Sequence, residues 1–199
     1  MYKLHLKDVS IVLFLGHNVN EYRVNTSEEI IQQLISSGTL CCEICLKSMK
    51  RHSNYTRKIK GTGQEITIII IWCRKCRIWH ALLPDFLLPN KHYSGNEIES
   101  VIIDSASVPV NQIETEASES TVRRWINQIG DSITGAIGRL KYIFKQAGQA
   151  VSEAAIDAGH VYNELEQLLE IAPYTIKYSG NKLGLVNLWL GVTNIKVYI

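Results

Sequence analysis

Two cysteine pairs constrain this chain more than any other feature of its sequence. Cys42 and Cys45 form one Cys-x-x-Cys unit, Cys73 and Cys76 form a second, and 27 residues separate them. Such a unit holds two sulfurs on one tight turn, and tetrahedral zinc asks for four ligands, with Zn–S near 2.3 Å. Between the pairs lie two strand-like runs, Tyr55–Lys60 and Glu65–Ile71. Gly61-Thr62-Gly63 joins them and supplies the φ > 0 positions of a hairpin. A hairpin brings its ends together, so the spacing predicts one Zn2+ site built from Cys42, Cys45, Cys73 and Cys76.

Iron held by four thiolates meets the same spacing. A redox Cys-x-x-Cys normally occurs once, at a strand-to-helix turn, whereas here two units flank a hairpin. Cys41 is a spare thiol. His80 follows Cys76 by four residues and is a further potential ligand that a full shell does not require. Four thiolates leave no open coordination position, so the expected site is a structural staple for a short module, not a catalytic centre.

The net charge of +2 hides an uneven distribution. Residues 41–80 carry nine Lys or Arg against Glu43 and Glu65, or +7, which leaves −5 for the rest of the chain. Four thiolates around Zn2+ contribute −2, so the loaded module keeps about +5. A basic module on an acidic remainder is a recurring arrangement in nucleic-acid binders. The hairpin and its approach hold Arg51, His52, Tyr55, Arg57, Lys58 and Lys60, cations and aromatics suited to a phosphate backbone.

Downstream, three short helices are expected at Asn96–Ile103, Val110–Glu116 and Ser120–Ile129, with a break at Pro109, a pattern compatible with a helix-turn-helix. In the third, Val122, Trp125, Ile126 and Ile129 form an apolar stripe. Thr121, Arg123, Arg124, Asn127 and Gln128 then face outward, and Arg, Asn and Gln can contact base edges. Against this stand Glu116 where the turn usually has Gly, and Glu114 and Glu119, which would repel phosphates.

The flanks read more simply. Val9–Leu15 suits a buried strand, Thr26 and Glu29 have capping-box spacing before an Ile30, Ile31, Leu34, Ile35 stripe, and Gly38 is a C-cap. From Ile133 to Leu168 apolar residues step by fours and threes as a heptad seam, with Gly148 and Gly159 as potential breaks. The seam allows either a homodimer or a helical hairpin within one chain. Leu185–Leu190 is apolar and Val192–Ile199 is β-branched.

The stretches CysCysGluIleCys, MetLysArgHisSerAsnTyrThrArgLysIleLys and, above all, Cys73 to Pro84 resemble the zinc-ribbon region of transposase-related bacterial proteins. That group is known as a domain of unknown function in Gram-positive bacteria. Ser120–Trp125 fits the same resemblance, as does Asn187–Leu190 more loosely, and residues 40–130 carry most of it. The resemblance implies sequence-directed binding of double-stranded DNA in or near mobile elements.

The expected fold is therefore α+β: a lead-in over 1–40, a four-cysteine zinc ribbon over 41–90, a helix-turn-helix over 91–130, and a mainly helical region over 131–199. No apolar run is long enough to cross a bilayer. Reduced thiols, with no evident signal peptide, suggest a cytoplasmic protein. After residue 130 no run of strands is left to present the carboxylate triad of a transposase, so a non-enzymatic DNA-binding protein is expected. The alternative is an adaptor whose ribbon docks on a transposase or polymerase.

Overall fold

A computed structural model describes residues 9–13, 18–42, 44–151, 161–172 and 181–192. Glu65–Cys73 (β3) has isoleucine at five of its nine positions and pairs antiparallel on both sides, with Lys50–Lys58 (β2) and with Ile78–Pro84 (β4). Val9–Leu13 (β1) adds in parallel to β4, so the strand order is β1-β4-β3-β2. The hairpin glycines behave as their positions require, Gly61 at φ 82° and Gly63 at φ 67°.

Two helices precede the cysteines, Val19–Asn25 (α1) and Glu28–Ser36 (α2). α1 is capped by Asn18, whose side chain accepts from the Asn20 and Glu21 amides. It packs on β3 through Tyr22, which is fully buried. The Tyr22 hydroxyl donates to Leu82 O (2.7 Å) and accepts from the Ile69 amide (3.4 Å). Thr26 caps the end of α1, donating its hydroxyl to Tyr22 O (2.7 Å), and Ser27 is the residue before α2. The expected capping box at Thr26 and Glu29 is corrected accordingly, because the helix before it claims Thr26. Gly38 follows α2 at φ 78°, as a C-cap glycine should.

Gly95–Asp104 (α3), Glu119–Gln146 (α4), Val161–Glu170 (α5) and Lys182–Val192 (α6) build a second core that begins at Leu88, while the sheet core extends to Leu87. The middle helix expected at Val110–Glu116 is only a single 3-10 turn, Val110–Gln112, since Ile113 is the one buried apolar side chain there and Val110 packs on the core only in part. The third expected helix does not stop at Ile129. Val122, Trp125, Ile129, Ile133, Ala136, Leu140 and Phe144 step by threes and fours as one buried stripe, so α4 runs unbroken for 28 residues. It passes through the boundary expected at residue 130.

The heptad seam divides at Gly148 (φ 81°). Ile133, Leu140 and Phe144 of α4 are buried in one core with Tyr162, Leu165 and Leu168 of α5, as in a helical hairpin within the chain. Ala154, Ala158 and Gly159 lie outside the described residues, as do 193–199. The apolar Leu185–Leu190 falls within α6.

Candidate metal centre and cationic groove

The two cysteine units fold alike. After Cys42, the Leu46 amide donates to Cys42 O (2.7 Å). After Cys73, the Arg77 amide donates to Cys73 O (2.8 Å). Leu46 and Arg77 take φ values of 54° and 56°, which turns the chain sharply beneath each pair of sulfurs. The first turn leads into β2 and the second links β3 to β4. Strand pairing therefore brings the four cysteines together, their sulfurs all within 4.8 Å of one another.

That spacing suits a shared metal ion. Corners of a tetrahedron at 2.3 Å from its centre are about 3.8 Å apart, and the Cys45 and Cys73 sulfurs lie 3.5 Å apart. A disulfide would require about 2.05 Å, and all five cysteines are free. Backbone amides also favour thiolate at the site. The Cys76 amide points at Cys73 Sγ (3.4 Å), and the Lys47 amide brings the Cys45 thiol down to about 7. Hydrogen bonding to Cys45 first, then burial, pushes the Cys76 thiol up to about 12, and burial raises the Cys73 thiol, so without a cation these two sulfurs keep their protons. Cys41 instead bridges to Ser48 outside the cluster, and His80 is buried in β4 and is not part of it.

One face of the sheet is covered by α1. The other is lined at cross-strand positions by Ser53, Ile70 and Ala81, and it opens into a groove of about 820 Å3. Along its wall stand His52, Tyr55, Arg57, Lys58 and Lys60 of the expected nucleic-acid set. A second concavity of about 350 Å3 shares Lys60, Asn90, Lys91 and His92 with the first and reaches Thr121, Arg124 and Gln128 on α4. Residues from β2 and α4, some sixty positions apart in the sequence, thus border two concavities that adjoin at Lys60, Asn90, Lys91 and His92.

Their roles within it differ. Arg57 is buried and donates to Leu88 O (3.2 Å), pinning β2 to the helical core. Burial lowers its pKa, yet a guanidinium keeps its charge. Lys60 lies over the Tyr93 ring at 5.8 Å, and Lys58 is exposed. Arg51, Arg123 and Asn127 do not line either concavity. Arg51 pairs with Glu28 of α2, Arg123 with Glu119 one turn back (2.6 Å), and Asn127 is exposed on α4.

Three groove residues were not expected from the sequence: Lys91, His92 and Trp79. Lys91 donates to Gln128 Oε1 (3.2 Å), and burial together with the facing Arg124 charge lowers its pKa. An anion between the two cations would oppose that shift. The visible signal was the basic, aromatic run Asn90-Lys91-His92-Tyr93 directly after Pro89.

Residues 42–125 match a family model, Domain of unknown function (DUF6431). The DUF6431 match starts at the first cysteine of the cluster and ends at Trp125 on the buried side of α4, so it contains the four-cysteine cluster and almost all residues that line the two concavities. No curated protein and no solved structure matches the chain. Among the described residues, no helix is long and apolar enough to cross a membrane.

Proposed function

We propose that the chain is a non-enzymatic, zinc-stapled DNA-binding protein. The observation that carries this reading is the pair of adjoining concavities, one lined by Lys58 and the other by Arg124, with Lys60 and Lys91 in the wall of both. Cations from separate elements on one concave surface are the electrostatic footprint of a polyanion site. In this reading Cys42, Cys45, Cys73 and Cys76 hold a structural Zn2+ in a zinc ribbon. The metal fixes the sheet that presents β2 and performs no chemistry on DNA.

Lys58, Lys60, Lys91 and Arg124 would hold phosphates, while Thr121 and Gln128 stand where α4 could meet base edges. Arg123, tied to Glu119, is assigned no base contact. A link to mobile elements and a cytoplasmic location rest on the resemblance and the reduced thiols alone. A two-fold arrangement would use a surface other than the 133–168 seam, much of which is buried within the chain.

Fluorescence anisotropy of the zinc-loaded protein on duplexes, with a salt titration, tests the reading. Lys60→Ala and Arg124→Ala should each weaken binding and reduce the slope of log affinity against log salt by about one, and Arg123→Ala should change little. Wild-type binding without salt dependence, or no loss in the groove variants, would overturn it. Ile44 and Leu46, 48% and 66% exposed at the tip of the first cysteine turn, favour the adaptor as second reading. Co-purification of a protein partner lost in Leu46→Asp would support that alternative.

A further inference from the structure

We infer that the open face of the sheet is a path for unpaired, single-stranded DNA, with bases stacked on its aromatic floor and phosphates held along its cationic rim. This rests on the DNA-binding reading and assigns the larger part of the groove to a particular form of the nucleic acid.

His52, Tyr55 and Trp79 line the groove beside Ser53, Ile70 and Ala81, and Trp72 adjoins Trp79 at its edge. Trp72 and Trp79, directly opposed across β3 and β4, stack with centroids 5.6 Å apart and 25° between planes. His52, at the irregularity between Arg51 and Ser53 in β2, lies 3.9 Å from Trp79. Tyr55 is 43% exposed further along the same strand. Trp72 and Trp79 are half-buried while His52 and Tyr55 are exposed, so part of this ring surface faces solvent, costly unless something covers it. The charge around them indicates what covers them, since Lys58, Lys60 and Lys91 border the same concavity and no carboxylate among the described residues lines it.

Aromatic floor with cationic rim is the combination that single-stranded nucleic acids require, because an unpaired base offers a π-face to stack while its phosphate stays at the edge. In a duplex the bases are stacked on one another, and only groove edges and phosphates face the protein. From His52 to Lys58 the strand spans roughly 20 Å at ~3.3 Å per residue, room for a few nucleotides.

The test measures binding of the full zinc-loaded chain to labelled oligothymidylate of about twelve nucleotides, to a blunt duplex and to oligouridylate of equal length, at one salt concentration. The expected result is affinity for oligothymidylate at least about tenfold above the duplex. Trp79→Ala and Tyr55→Ala should each reduce it about tenfold, while Trp79→Phe, which keeps a ring, should restore most of it. Zinc content and melting temperature are read in each variant, so a folding defect is not mistaken for lost stacking. Duplex binding equal to or tighter than the single strand would overturn the inference and leave the DNA-binding reading standing. Absence of binding to any of the three would overturn both. Tenfold preference for oligouridylate would replace DNA by RNA as the occupant, and unchanged affinity in a folded Trp79→Ala would show that the floor is not used.

Discussion

Leu46 and Arg77 each sit one residue past the second cysteine of a pair, and both lie in the left-handed region. An L-residue there meets its own carbonyl through Cβ at a cost of roughly 1–2 kcal/mol, which glycine escapes. Arg77 is exposed and its side chain forms no part of the cluster, so it can be tested without loss of packing. Arg77→Gly should raise the unfolding free energy of the metal-loaded protein by about 1 kcal/mol, less what glycine adds to unfolded-chain entropy. The check is a higher denaturant midpoint at unchanged slope. A lower midpoint would mean that the Arg77 side chain supports the turn. The Cys-x-x-Cys spacing made the cluster legible in the sequence. The shape of the two turns was not, because neither critical position carries the glycine that would signal positive φ.

At the scale of elements, legibility depended on whether a pattern was read whole. The Ile-rich β3 and the glycine hairpin stood out because alternation and turn chemistry agree there. In α4 the Trp125 stripe and the seam from Ile133 each suggest a separate helix, and only their shared helical phase marks one continuous element. The groove was beyond reach, since only β3–β4 pairing and the turn after Pro89 bring Trp79 and Lys91 beside β2. The junction of α3 and α6 was equally hidden. Asn181 Oδ1 accepts the Gly184 amide (2.6 Å), and Glu99 of α3 accepts the Leu183 amide (3.0 Å). Gly95 leaves room for this cap, as a Cβ there would come within 2.5 Å of the Asn181 amide group. Burial raises the Glu99 carboxyl above its ordinary 4.5, against the opposing pull of the Leu183 amide, Tyr162 and Lys182. Its protonated form therefore favours the fold. That contribution is full below about pH 4.5 and is lost as pH rises through the higher folded value. Glu99→Gln keeps an acceptor for Leu183 and removes the titration. Relative to the wild type, its stability should rise as pH increases from 4.5 towards neutrality, measured by denaturant unfolding across pH. A constant difference between the two proteins would show that Glu99 ionises as freely in the folded state as in the unfolded one.

At the scale of the whole molecule, the described residues form two apolar cores whose sequences meet at Leu87 and Leu88, and the cysteine cluster belongs to the sheet core. Cys42 and Cys73 are buried members of the sheet core, beside Leu40, Met49 and Ile71. The helical core is closed by α4 against α3, α5 and α6, with Trp125, Ile133 and Phe144 at its centre. Between the cores run polar ties: Arg57 to Leu88 O (3.2 Å), the Lys60 amide to His92 O (2.9 Å) and Asn181 to Asp85 O (3.4 Å). Each such bond contributes about 1 kcal/mol net, little beside the free energy of binding zinc to four thiolates, about 10–16 kcal/mol in small zinc modules. Chelation should therefore act unevenly. Hydrogen exchange after metal removal should show lost protection in β2, β3 and β4, while amides of α4 between 122 and 144 remain protected. DNA binding should fall with the sheet, since β2 forms one wall of the groove. If α4 lost protection at the same rate as the strands, the polar ties would have to couple the cores into one cooperative unit, and the groove would depend on the metal at both walls.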